Sequence, residues 1–177
     1  MLSRMSLLSN RMSGPAAFPE DISYIVPYVC IGNRYAATGR FDEDGNYIDY
    51  LSLYNIKHVI SALTDSEYAD YMIAAEDFAD QAAWHRLAVD DGPSEPISRF
   101  FSQMTAVIAD AVAAQQPILI HCAAGMSRSV TIVAAYLIAA RGLKAAEAVA
   151  LIKNKRPIAQ PNKGFMRQLE VYSGFLY

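Results

Sequence analysis

The chain has 177 residues, 53% apolar and 19% charged, the composition of a globular domain long enough to bury a sizeable core. Its net charge of −3 provides no basic field for nucleic acid or an anionic membrane, and two cysteines with three histidines exclude a disulfide framework and a structural zinc site. Apolar runs stop at about a dozen residues, short of the ~20 that span a bilayer, so no stable membrane insertion is expected.

Met1 to Phe18 holds Arg4, Arg11, four serines and no acid, with Leu2, Met5, Leu8 and Met12 near helical spacing. Three readings stay open: a mitochondrial targeting segment, an amphipathic helix docked on the domain or on a second copy in a homodimer, and a frayed tail. Residues 1–20 are therefore set apart as an extension, and 21–177 are taken as one domain. Ile22 to Gly32 is short, β-rich and broken by Pro27, which predicts a hairpin or two edge strands. After a loop from Gly39 to Gly45, Asn46 is placed to cap a short helix carrying Ile48, Leu51 and Leu53. Ile56 to Leu63 reads as a buried strand. Asp65 to Ala83 reads as one acidic helix, with Tyr68, Tyr71, Met72 and Phe78 as its apolar members.

Trp84 to Val89 is the next strand, ended by the turn Asp90-Asp91-Gly92-Pro93. A helix follows from Ile97 to Ala114, and Pro117 opens the buried strand Ile118-Leu119-Ile120. Helices over Ser129–Arg141, Lys144–Asn154 and Pro161–Tyr177 close the chain, with Pro157 and Pro161 at the last break. Strands alternating with helices predict an α/β sheet covered by helices.

The chemistry concentrates in His121-Cys122-Ala123-Ala124-Gly125-Met126-Ser127-Arg128-Ser129, between that strand and a helix. A strand-to-helix loop turns several backbone N–H groups toward one point, a nest for a tetrahedral anion. Gly125 permits the tight ring, and the planar fork of Arg128 suits two oxygens of one phosphate. Ala123, Ala124, Gly125, Met126, Ser127 and Arg128 are the expected phosphate-binding positions. At the base of the nest Cys122 meets a helix N-terminus, Arg128 and His121, and all three are expected to favour thiolate over thiol. The thiolate would attack phosphorus in line and form a thiophosphate, and Ser129 would hydrogen-bond the sulfur as it leaves. The plain alternative, a core cysteine after a buried strand, leaves the glycine, the arginine and the two serines unexplained.

On these residues the chain resembles the dual-specificity branch of the protein tyrosine phosphatases, in particular its small atypical members. The likeness continues through Tyr28 to Gly32, Ala135-Tyr136-Leu137-Ile138, Arg156-Pro157, Pro161-Asn162-Lys163-Gly164-Phe165 and Gln168-Leu169. It implies a central, mostly parallel twisted sheet flanked by helices, no metal and no cofactor, and phosphoproteins as substrates. It also implies a general acid after a strand, six residues before the apolar start of a helix. Asp91 before Ile97 has that offset, with Asp90 in reserve; turn and helix capping is the competing role.

Asn162 is expected to support the loop geometry, to cap a helix, or both. Arg156 is read either as a contact for a second phosphate or as a solvated helix-end charge. Cys30 is read as a core cysteine, the alternative being a protective disulfide with Cys122. Asp42-Glu43-Asp44-Gly45-Asn46 is a turn rather than a calcium loop, because Arg40 and Leu51 stand where ligands are needed. The acids Asp65, Glu67, Asp70, Glu76, Asp77 and Asp80 are taken as a solvated face unless they border the cleft. Small and apolar Ala123, Ala124 and Met126, with no lysine among them, favour phosphoproteins over phosphoinositides. A non-catalytic phosphoprotein-binding module and a sulfurtransferase are the rival classes. A thiol-dependent site in a chain with two cysteines suits a reducing compartment, the cytoplasm.

Overall fold

The computed structural model describes residues 20–176. The N-terminal readings (targeting, docking and dimer contact) lie outside the described residues. A five-stranded sheet carries the fold, in the order β1-β2-β7-β5-β6. Its strands are β1 (Ile22–Val26), β2 (Val29–Gly32), β5 (His58–Leu63), β6 (Ala83–Ala88) and β7 (Ile118–His121). β1 pairs antiparallel to β2, and β2, β7, β5 and β6 run parallel. The mostly parallel sheet expected from the resemblance is present.

Alternation along the strands sorts the core into two layers. Val29, Ile31, Ile60, Ala62, Leu87, Ile118 and Ile120 face one side. There they meet α4 (Phe101–Ala113), α5 (Arg128–Arg141), α6 (Ala145–Lys155) and α7 (Lys163–Leu176). Arg128 through Ile138 are all buried in α5, as a helix enclosed by its neighbours requires. Cys30, Val59, Leu63 and Leu119 face the other side, covered by α1 (Arg34–Thr38), α2 (Tyr50–Leu53) and α3 (Asp65–Asp70). The strand pair β3 (Arg40–Phe41) and β4 (Tyr47–Ile48) completes the chain order.

Two predicted elements differ. The helix over Asp65–Ala83 stops at Asp70, followed by turns and a 3-10 turn over Ala75–Asp77. The stop is a Schellman closure: Ile73 N–H donates to the Tyr68 carbonyl at 2.9 Å and Met72 N–H to the Ala69 carbonyl at 3.1 Å, with Met72 at φ 53°. Burial of Tyr68 and Ile73 in the same cluster supports the closure without the usual glycine. Asn46 caps no helix. It lies in the β3–β4 turn, where its N–H donates to Asp42 Oδ1 at 2.8 Å, and Asp49 caps α2 through Ser52 N–H. Among the described residues no single helix is long and apolar enough to cross a membrane.

Because four strands run parallel, their C-terminal ends share one edge. The segments after β2, β5, β6 and β7 therefore meet there, the edge where open α/β sheets bind ligands.

Candidate active site

Residues 122–127 leave β7 at that edge and lead into α5. The loop closes on Cys122 Sγ, which accepts the Gly125 N–H at 3.2 Å and lies 3.3 Å from Ser129 Oγ. Cys122 itself is buried. Gly125 has φ 67°, and a Cβ there would lie 2.5 Å from Arg156 Nη2 and 2.6 Å from the Gly32 carbonyl. Only glycine fits this position in both conformation and space.

Arg156 is the surprise behind the loop. It is neither solvated nor facing a second phosphate. It is 1% exposed, and its Nε–H donates to the Gly125 carbonyl at 2.7 Å. Nη2 reaches the Ala124 carbonyl at 3.4 Å and Nη1 the Ser23 hydroxyl at 3.1 Å. A fork that satisfies two carbonyls of the loop turns them away from an incoming anion and places a cation behind the nest.

Arg128 is 4% exposed and fixed end-on by Glu67: Nη1 donates to Oε2 at 2.5 Å and Nη2 to Oε1 at 2.9 Å. Nη1 also donates to the Val89 carbonyl at 3.2 Å, and buried Nε has no partner among the described residues. A guanidinium has five N–H donors. The Nε–H and one Nη2 hydrogen remain, the side-on pair suited to two phosphate oxygens. Glu67 also receives the Thr64 N–H at 2.8 Å in a capping box. Burial raises the Glu67 pKa, but the hydrogen bonds from Arg128 and Thr64 outweigh it and hold the carboxyl below its ordinary range.

The Asp90–Pro93 segment follows β6. Asp91 Oδ1 accepts the Ser127 hydroxyl at 2.5 Å and the Asn162 amide at 3.0 Å, so one carboxylate oxygen is held in place. Asn162 Nδ2 also reaches the Asp91 carbonyl at 3.2 Å, while Asn162 Oδ1 accepts the Phe165 N–H at 2.9 Å in the first turn of α7. Both readings of Asn162 hold at once. Asp90 takes the supporting place, accepting the Asp91 N–H. Pro93 packs against Gly164 so closely that a Cβ there would lie 1.7 Å from the Pro93 carbonyl oxygen. Gln168 ties down the next stretch, donating to the Glu95 carbonyl and accepting from Ser98 N–H, each at 2.9 Å. Asn162, Gly164 and Gln168 thus share one task, seating the segment that holds Asp91.

Comparison with known proteins gives this constellation a family. Residues 43–174 match the catalytic domain of dual specificity phosphatases. The chain belongs to the dual specificity phosphatase family. It is an enzyme of the cysteine-based protein tyrosine phosphatase superfamily. Dual specificity protein phosphatase 1B of Arabidopsis thaliana is 31% identical over 153 residues, 86% of this chain and 82% of its own length. Dual specificity protein phosphatase 1 of the same plant is 33% identical over 120 residues, 68% of this chain, which spans 57% of that relative. Among solved structures, the human tyrosine phosphatase-like serine/threonine/tyrosine-interacting protein superposes with a TM-score of 0.76 at 26% identity, covering 88% of this chain and 97% of its own. DUSP15 superposes with a TM-score of 0.72 at 30% identity, covering 87% and 88%. PTPMT1, solved in complex with PI(5)P, shares the fold at 19% identity with a TM-score of 0.73 over 88% and 96%.

Within this dual specificity phosphatase the predicted residues Cys122, Arg128, Ser129, Asp91 and Asn162 lie together at the sheet edge, with Ala123, Ala124, Gly125, Met126 and Ser127 forming the loop. His121, expected to favour the thiolate, brings no positive charge to it. It is fully buried, and burial pushes its pKa down to about 4; the Cys122 backbone opposes this and the Arg128 charge adds to it. The ring is neutral at pH 7. Trp84 Nε1–H donates to Ser61 Oγ at 2.8 Å, and Ser61 Oγ lies 2.6 Å from His121 Nε2, so the ring is tied to β5 through that nitrogen. The cations near Cys122 are Arg128 and Arg156.

Cys30 and Cys122 belong to clusters on opposite faces of the sheet, so the structure does not support the disulfide. Burial raises the Cys30 thiol well above its ordinary pKa. Neither reading of Arg156 holds, and Glu67 borders the cleft, where it binds Arg128 instead of facing solvent. The Thr64-x-x-Glu67 capping box was the available signal for Glu67, since it fixes a carboxylate at the end of a strand beside β7.

Proposed function

We propose that this phosphatase hydrolyses phosphotyrosine and phosphoserine or phosphothreonine in proteins through a phosphocysteine intermediate. The observation that carries the reading is the loop closed on Cys122 Sγ, with the side-on edge of Arg128 uncommitted. The Nε–H and Nη2–H of Arg128 hold two non-bridging oxygens of the phosphate, together with the loop N–H groups. Cys122 thiolate attacks phosphorus opposite the leaving oxygen, and the S–P bond forms as the P–O bond breaks. Protonated Asp91 gives its proton to the leaving alkoxide or phenoxide. In the second step Asp91 carboxylate takes a proton from water, the water oxygen bonds to phosphorus, and the thiolate leaves with Ser129 Oγ–H beside it. Inorganic phosphate and a substrate hydroxyl are the products.

Phosphoproteins fit the loop better than phosphoinositides do, because Ala123, Ala124 and Met126 bring no cation to meet further ring phosphates. The thiolate asks for a reducing compartment, and the cytoplasm is the one we propose. The test is steady-state hydrolysis of an aryl phosphate, phosphopeptides and a phosphoinositide by wild type, Cys122→Ser and Asp91→Asn. Cys122→Ser is expected to remove turnover. Asp91→Asn is expected to slow phosphoserine peptides by roughly 10²–10³ and an aryl phosphate with a good leaving group far less. Equal turnover by wild type and Cys122→Ser would refute the mechanism, and a phosphoinositide preferred over every peptide would refute the substrate class.

A further inference from the structure

Arg34 is a charge at the mouth of the site that the mechanism leaves unused. It opens α1, directly after β2, and its backbone N–H donates to the Ala123 carbonyl at 3.1 Å. That bond ties it to the residue following Cys122. Its guanidinium carbon lies over two rings, 4.5 Å from the Tyr35 centroid and 5.1 Å from that of Tyr71, and Nη2 donates to the Tyr35 hydroxyl at 2.7 Å. Tyr71 is the C-cap of α3, one turn beyond Glu67, which grips Arg128. The charge is therefore strapped across the rim between the catalytic loop and the helix that positions the phosphate-binding arginine.

Three features suit this group to a ligand. It is half-exposed. The ion pairs among the described residues use Arg40, Arg86, Arg99 and Arg128 and leave Arg34 out. Stacking on Tyr35 and Tyr71 restricts its rotamers, so little entropy is lost when an anion arrives. Tyr71 also lines a groove of about 370 Å³ together with Tyr47, Asp49 and Asp77, which places two acids near the other end of the stack.

We infer that Arg34 is a specificity-determining residue that takes a second anionic group, a carboxylate or a phosphate, carried by a substrate peptide beside the scissile phosphate. The inference rests on the phosphoprotein reading above. It adds that the substrates are acidic next to the phosphoresidue. Asp49 and Asp77 disfavour acids farther out along the groove.

The experiment uses the full chain and matched phosphotyrosine peptides whose flanking residue is Glu, Gln or Lys, plus a doubly phosphorylated peptide. Wild type is expected to favour the Glu and doubly phosphorylated peptides over Gln by about 3- to 5-fold in kcat/KM, through KM, on the scale of a half-exposed ion pair. The ratio narrows as salt rises. Arg34→Gln is expected to bring the ratio to about one, and Arg34→Glu to shift the preference to the Lys peptide. Should either variant misfold, Tyr71→Leu keeps the charge, loses the stack and is expected to reduce the ratio in part. A wild type indifferent to the flanking residue overturns the inference, as does a preference that survives Arg34→Gln, while leaving the phosphatase reading intact. Failure of wild type to turn over any phosphopeptide in a Cys122-dependent way refutes both.

Discussion

His121 makes the stability of this phosphatase depend on pH in a way that can be worked from the structure. Its folded pKa of about 4 lies below the ordinary 6.5 because the ring is fully buried. Below about pH 6.5 the unfolded chain takes up a proton that the native chain refuses, so acid favours unfolding. The stabilisation is present in full above the unfolded pKa and drains away as pH falls, until the native ring protonates near 4. The difference between 6.5 and about 4, at ~1.36 kcal/mol per unit, comes to roughly 3 kcal/mol, of which about 2 kcal/mol is lost between pH 7 and 5. Urea unfolding at pH 7, 6 and 5, followed by the fluorescence of Trp84, measures this in wild type and His121→Gln. Glutamine keeps a hydrogen-bonding group for Ser61 and does not titrate. His85, also lowered by burial, is common to both proteins and cancels. Wild type is expected to lose about 2 kcal/mol more than the variant from pH 7 to 5. Parallel curves would show that His121 is not a neutral buried ring and would refute the reasoning.

Two further substitutions probe the supports of the nest. Glu67→Ala leaves Arg128 buried without its carboxylate, and about 2–3 kcal/mol of stability should disappear along with a roughly tenfold fall in kcat/KM; unchanged urea midpoints would place the pair's energy elsewhere. Gly164→Ala drives a methyl into the Pro93 carbonyl and so displaces Asp91; turnover of phosphoserine peptides should fall more than that of an aryl phosphate, and equal losses would separate Gly164 from the acid.

The sheet, the loop around Cys122 and the seat of Asp91 beside it were legible because each has a local signature: an apolar run, a glycine at a tight ring, an aspartate at a fixed distance before a helix. The grip of Glu67 on Arg128 was not, since the two are 61 positions apart and meet only because β5 and β7 are neighbours. The place of Arg156 is hidden for the same reason, as its carbonyl partners belong to another segment. The helix after Thr64 was drawn too long because its stop uses Met72 where a glycine is the usual marker, and only the packing of Ile73 on Tyr68 reveals it. Position beside Cys122 suggests that His121 favours the thiolate, whereas burial keeps the ring neutral.

The separation of Cys30 from Cys122 by the thickness of the sheet bears on how the enzyme survives peroxide. A sulfenic acid formed on Cys122 escapes permanent oxidation by condensing with a thiol or with a backbone nitrogen. The only other thiol in the sequence is on the opposite face. The chain therefore offers a sulfenic acid on Cys122 backbone nitrogen but no thiol on its own face, and a disulfide there takes a thiol small enough to enter the nest from solvent.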